Sequence, residues 1–198
     1  MLTLAFDTAT GTATVALVRD ADVIGERTGR ASEVLAEADE LLLEAGARPG
    51  DLDLLAVGVG PGSFTGVRIG LAAARGVGLA VDVPVAGVST LEALSAGSPG
   101  SVPAIDARRG ELFTLVSGRV RCLAPDALEV DEGRTYVGDG AVRYRAEIER
   151  RGGVVPPDGS ELHLPRARFH ALLAGAGGPA ELVEPVYLRA PDAERALA

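Results

Sequence analysis

The residues best equipped for chemistry are two aspartates in polar turns, a glycine-rich run and a pair of histidines. Asp7 lies in Asp7-Thr8-Ala9-Thr10-Gly11, Asp106 in Asp106-Ala107-Arg108-Arg109-Gly110, the run is Gly60-Pro61-Gly62-Ser63, and the histidines are His163 and His170. A glycine-rich turn that opens a helix presents free backbone N–H groups and the positive end of the helix dipole, which is how phosphate sites are built. Gly60 and Gly62 invite a nucleotide reading, in which Asp7 and Asp106 would be the aspartates of an ATP-dependent small-molecule kinase. Two features weaken that reading. A Walker A loop needs a lysine, and the chain has none. The dinucleotide fingerprint fails as well, because Thr65 stands where its third glycine would be. Asp7 bonding the backbone amides that follow it is the simpler account of its turn. His163 and His170 are seven residues apart, not the i, i+4 spacing that puts both rings on one helical face as metal ligands. A metallopeptidase is therefore the weakest of the readings.

These residues need elements to position them. Leu52 to Val59 is an apolar run read as a buried strand, Gly60 to Gly62 as a tight turn, and Ser63 as the cap of a helix that reaches Val81. At about 100° per residue, Val67, Leu71, Ala74 and Gly78 form one apolar face of that helix. Gly66, Ile69, Gly70, Ala73, Val77 and Ala80 form a second, and only Thr65, Arg68 and Arg75 mark a wet edge. A helix lying on a sheet needs one apolar stripe, so one with two must be covered twice. Either a neighbouring helix of the same chain or a second molecule would serve, and small residues let either come close.

Upstream, Leu2 to Phe6, Thr12 to Val18 and Val23 to Arg27 read as a strand meander. Ser32 is expected to cap a helix running to about Ala45 and ending at Gly46. Val34, Leu35, Ala38, Leu41, Leu42 and Ala45 share its apolar face, while Ala36 and Leu43 point the other way among acids. Pro84 to Val88 is a further strand, and Ser89-Thr90-Leu91-Glu92 opens the next helix as a capping box. Gly97-Ser98-Pro99-Gly100-Ser101 is the most linker-like stretch, so the boundary falls there: residues 1–100 form one lobe and 101–198 a second. In the second, Val102 to Ile105, Glu111 to Val116, Arg119 to Leu123 and Tyr136 to Gly138 read as strands, and Ala141 to Arg151 as a helix. That helix carries Arg143, Arg145, Arg150 and Arg151, the one basic run able to face RNA. Arg166 to Leu173 is a short helix, and the end of the chain is free to pack back on the first lobe. Both halves repeat one order of elements, a strand ending in an aspartate turn, a hairpin, then helices. That order predicts two stacked α/β lobes.

Composition narrows the classes further. With 47% hydrophobic and 24% charged residues over 198 positions the chain is globular. A net charge of −9 argues against unaided binding to nucleic acid or an anionic membrane. The single cysteine, Cys122, excludes a disulfide framework and fits a reducing compartment. Met1 to Phe6 meets Asp7 without a basic flank or a long apolar core, unlike a signal peptide. Arg75 and Asp82 interrupt the longest apolar stretch, so no membrane span is expected and the cytoplasm is the default location.

Taken together, Asp7-Thr8-Ala9-Thr10, the run from Gly60 to Gly70 (GPGSFTGVRIG), Gly87-Val88-Ser89-Thr90-Leu91, Ile105 to Glu111 and Pro185-Val186-Tyr187-Leu188-Arg189 resemble the TsaB (YeaZ) family. The resemblance implies a two-lobed α/β fold of the actin, sugar kinase and heat-shock ATPase type, related to ribonuclease H. It implies a non-catalytic scaffold in tRNA threonylcarbamoyladenosine formation, pairing with the catalytic paralogue TsaD and docking the ATPase TsaE. ATP and a metal would be held by those partners and no cofactor by this subunit, tRNA would be met only through the complex, and the chain alone would form a homodimer. In that family the first two helices form the partner surface. Here they are Ser32 to Ala45 and Ser63 to Val81, which nominates Ala36, Leu43, Gly66, Ile69, Gly70, Ala73 and Val77 as interface residues.

Overall fold

The computed structural model describes residues 1–186. Tyr187-Leu188-Arg189 and the polar tail after them lie outside the described residues. Strand β1 (Leu2–Asp7), β2 (Ala13–Arg19) and β3 (Asp22–Gly29) form an antiparallel meander, followed by α1 (Val34–Glu44), β4 (Leu54–Gly58), α2 (Phe64–Val81), β5 (Val85–Val88) and α3 (Thr90–Gly97). The sheet runs β3-β2-β1-β4-β5, with β4 parallel to β1 and to β5.

Alternation along the strands sends successive side chains to opposite faces. Leu4, Phe6, Val15, Leu17, Leu55 and Val57 meet Val34, Ala38, Leu41 and Leu42 of α1 and Val67, Leu71 and Ala74 of α2. Each large side chain buried there contributes about 1.5–3 kcal/mol. The other face is paved with Ala5, Ala16 and Ala56, and this low floor lets Ala167 and Ala171 of α6 (Ala167–Leu173) approach closely. A helix from the second half of the chain thus covers the first sheet.

The second sheet, β8-β7-β6-β9, repeats the order β3-β2-β1-β4 with β6 (Val102–Arg108), β7 (Glu111–Val116), β8 (Arg119–Leu123) and β9 (Tyr136–Val137). Helices α4 (Asp139–Arg143) and α5 (Arg145–Arg150) cover one face, burying Ala141 and Ile148 against Ala104, Leu112 and Tyr136. Leu91 and Leu94 of α3 cover the other, against Ile105, Phe113 and Val137.

Several expectations are corrected. Ser32 lies inside a 3-10 turn, Ala31–Glu33, and makes no capping bond; α1 begins at Val34. Leu35 is 48% exposed and not part of the core face. Asp106 and Ala107 belong to β6, so the turn is tighter than expected, with Arg108 and Arg109 both at positive φ. The helix expected over 141–151 is two short helices meeting at Tyr144. By length and composition α2 is long and apolar enough to cross a membrane, with a mean hydropathy of 1.3 over 18 residues. Its seat on the sheet, with Gly66, Val67, Gly70, Leu71, Ala74 and Gly78 buried, accounts for that composition.

Candidate functional site

Asp7 ends β1 on the alanine face and is fully buried. Its Oδ1 accepts the Ala9 N–H at 2.7 Å and its Oδ2 accepts the Thr90 hydroxyl at 2.7 Å. The buried imidazole of His170, from α6, brings Nε2 to 2.8 Å from Oδ2, in ion-pair range but off the line of a hydrogen bond. The other ring nitrogen, Nδ1, lies 3.3 Å from the Arg166 carbonyl. A Cβ on Gly58 would stand 1.9 Å from Asp7 Oδ2, so only glycine fits across from the carboxylate. Burying a carboxylate is tolerable only with such a set of donors.

The glycine turn is closed by the same group of residues. Gly60, at φ 89°, offers its carbonyl to the Thr90 N–H at 2.9 Å, and the Gly60–Pro61 peptide is cis. The Ser63 N–H, the amide a phosphate would seek, donates to the Ala9 carbonyl at 2.7 Å, and a Cβ on Gly62 would stand 2.3 Å from that oxygen. Ser63 Oγ accepts the Gly66 N–H at 3.3 Å and caps α2 as expected. Asp106 lies in the other sheet, where its partners are Arg143 at 3.1 Å, Arg108 at 3.3 Å and, through its N–H, the Asp139 carboxylate at 2.9 Å. The residues of the nucleotide reading are therefore each engaged within the chain. Burial pushes the Asp139 carboxyl above its ordinary pKa, with the nearby Asp106 charge adding to the rise.

His163 is buried, accepting the Gly138 N–H at Nδ1 (3.0 Å) with Nε2 3.1 Å from the Pro156 carbonyl. Among the described residues no three His, Cys, Asp or Glu side chains gather as a metal site would require. The expected basic run is also engaged. Arg145 pairs with Asp158 and Glu149, Arg150 with Glu147, Arg143 with Asp106, and Arg151 donates to the Pro125 and Leu128 carbonyls.

The outer surface of α1 and α2 differs in kind. Leu43 is 77% exposed, Leu79 67% and Ile69 36%, with Ala36, Ala72, Gly76 and Ala80 exposed beside them. The same two helices carry exposed charge beside these side chains, in Arg68, stacked 3.6 Å over the Phe64 ring, and in the acids Asp39, Glu40 and Glu44. Of the residues nominated from sequence, Ala36, Leu43 and Ile69 lie on this surface, while Ala73 and Val77 are half-buried against the core. Gly66 and Gly70 are on the opposite side, buried against Thr8. A Cβ at Gly66 would meet the Thr8 carbonyl at 2.0 Å, and one at Gly70 the Thr8 hydroxyl at 2.5 Å, so these glycines serve close packing of α2 on its own chain. Sequence reasoning missed Leu79, Ala72 and Gly76 by turning the helix through about a quarter turn. His170, set aside in the sequence as a metal ligand, packs fully buried against Asp7. The glycine within β4, Gly58, was the available sign that something approaches closely there.

Comparison with known proteins agrees with this architecture. A family model described as TsaD, tRNA N6-adenosine threonylcarbamoyltransferase, matches residues 29–130. The tRNA threonylcarbamoyladenosine biosynthesis protein TsaB of Haemophilus influenzae is 30% identical over 94% of this chain and 92% of its own. The structure of YeaZ from Pseudomonas aeruginosa superposes with a TM-score of 0.78 at 30% identity, covering 94% of this chain and 99% of that one. Component A of the (R)-2-hydroxyglutaryl-CoA dehydratase of Acidaminococcus fermentans shares the fold alone, at TM-score 0.54 and 11% identity over 88% of this chain and 97% of its own. With its two sheets of matching strand order on an actin-like ATPase fold, the chain belongs to the TsaB (YeaZ) family.

Proposed function

We propose that this chain acts in tRNA threonylcarbamoyladenosine biosynthesis as a scaffold subunit with no turnover of its own. It lends the outer face of α1 and α2 to a TsaD-type transferase, or to a second copy of itself when alone, and helps to dock the TsaE-type ATPase. ATP and any metal belong to those partners, and tRNA is met through the assembled complex. The observation that carries this reading is the exposure of Leu43, Ile69 and Leu79 on helices whose opposite sides already pack on the sheet. Exposed aliphatic surface of this kind marks a protein contact. The closed state of the Asp7 node supports the absence of nucleotide chemistry, because its carboxylate and the Ser63 amide both have partners within the chain. Reconstituted tRNA modification tests the proposal. Transferase and ATPase should form threonylcarbamoyladenosine on tRNA when this chain is added and fail with Leu43→Asp/Leu79→Asp. Turnover by the chain alone, or an undiminished yield with the double variant, would contradict it.

A further inference from the structure

Both oxygens of Asp7 reach the turn that opens α2, by separate routes of single hydrogen bonds. Through Oδ2 the route is the Thr90 hydroxyl, then the Thr90 N–H to the Gly60 carbonyl at the start of the turn. Through Oδ1 it is the Ala9 N–H, then the Ala9 carbonyl to the Ser63 N–H at its end. Thr8, between them, donates its hydroxyl to the Gly66 carbonyl in the first turn of α2 at 2.7 Å. On its far side, Asp7 Oδ2 faces the buried His170 ring.

The helix that brings His170 is tied to the same sheet at other points. The Thr14 hydroxyl donates to the Pro165 carbonyl at 2.8 Å, and the buried Glu26 carboxylate of β3 pairs with Arg166 at 2.7 Å and Arg168 at 2.9 Å. These ties fix α6 in register on the sheet, so the His170 ring is presented to Asp7 by a rigid element.

We infer that His170 is a positioning residue for the partner face. Acting through Asp7, it fixes both ends of the Gly60–Ser63 turn and thereby the angle at which α2 presents Ile69 and Leu79. The inference rests on the proposed use of that face and adds its control by α6. A contiguous set of contacts is a physical route, and its coupling has to be measured as an energy.

The test measures association of the full-length chain with the TsaD-type transferase, together with amide hydrogen exchange. His170→Ala is expected to weaken association at least ten-fold and to lower protection of the Ala9, Ser63 and Thr90 amides at least ten-fold, with Thr114 of β7 unchanged. His170→Gln, which returns a polar side chain of comparable reach to the space beside Asp7, is expected to recover part of both. Wild-type association by folded His170→Ala overturns the inference, and so does weakened association with protection lost equally in both sheets. Should His170→Ala fail to fold, Thr90→Val decides: it cuts the Oδ2 route alone, and association equal to wild type overturns the inference. Leu79→Asp associating normally would instead sink the proposed use of the face, and with it this control. The amide protection would still report whether His170 holds the turn.

Discussion

Asp7 accepts two donors and faces an imidazole in a site with no exposed surface, so the contacts it holds order the residues around it. Asp7→Ala leaves the Ala9 amide and the Thr90 hydroxyl unpaired in a buried site. Each buried donor left without its acceptor costs about 1–3 kcal/mol, which urea unfolding should register as a lower midpoint with an unchanged slope. Asp139 provides a pH signature. Its native pKa is raised by burial, so the native state holds that proton more tightly than the unfolded chain does. Its contribution is complete below the ordinary aspartate value and is lost as pH rises through the native value. Asp139→Asn keeps an acceptor for the Asp106 N–H and cannot titrate. Melting temperatures from pH 4 to 7 should show the variant gaining on the wild type as pH rises, and a constant difference would contradict the assignment. The turn-forming role of Asp7 was legible, since an aspartate followed by Thr-Ala-Thr-Gly has amides within reach. Its burial was not, because the covering ring comes from a residue 163 positions away in sequence.

Among the elements, α2 shows how far periodicity reaches. The strand, the turn and the cap at Ser63 follow from local chemistry, and the helix ends where Asp82 takes a left-handed conformation. Which of two apolar faces turns inward is a tertiary choice, made here by Gly66 and Gly70 seating on Thr8. The glycines of the helix should therefore separate cleanly. Gly66→Ala forces a methyl onto the Thr8 carbonyl and is expected to destabilise by about 3 kcal/mol. Gly76→Ala meets open space and should stabilise the helix by about 1 kcal/mol, the ordinary difference in propensity. Thermal denaturation of the two variants checks both, and equal effects would mean the helix is turned otherwise. A charged residue at Gly70 would report on folding, so association has to be probed from Leu43 and Leu79. The break at Tyr144 escaped the reading of the second half for a related reason. The alternation of arginine with alanine and isoleucine over 141–151 suits one helix as well as two, and Arg145 is drawn aside by Asp158 and the Val155 and Pro156 carbonyls.

At the scale of the whole molecule, two sheets of one strand order are bound together by α3, packed on the second sheet, and by α6, packed on the first and against α3. The repeat of strand order was visible as a repeated order of elements, whereas the return of α6 to the first sheet depends on the alanine floor that only the assembled strands create. Among the described residues the outer surface of α1 and α2 leaves Leu43 and Leu79 uncovered, on a protein with a net charge of −9 and with Arg145 and Arg150 paired internally. The most direct measurement is the affinity of the chain for the TsaD-type transferase, by titration calorimetry, for the wild type and for Leu43→Asp and Leu79→Asp. Each substitution is expected to weaken binding by about 2 kcal/mol, roughly thirty-fold, with the melting temperature of the isolated chain unchanged. Wild-type affinity in both variants would show that the partner is held elsewhere and contradict the account.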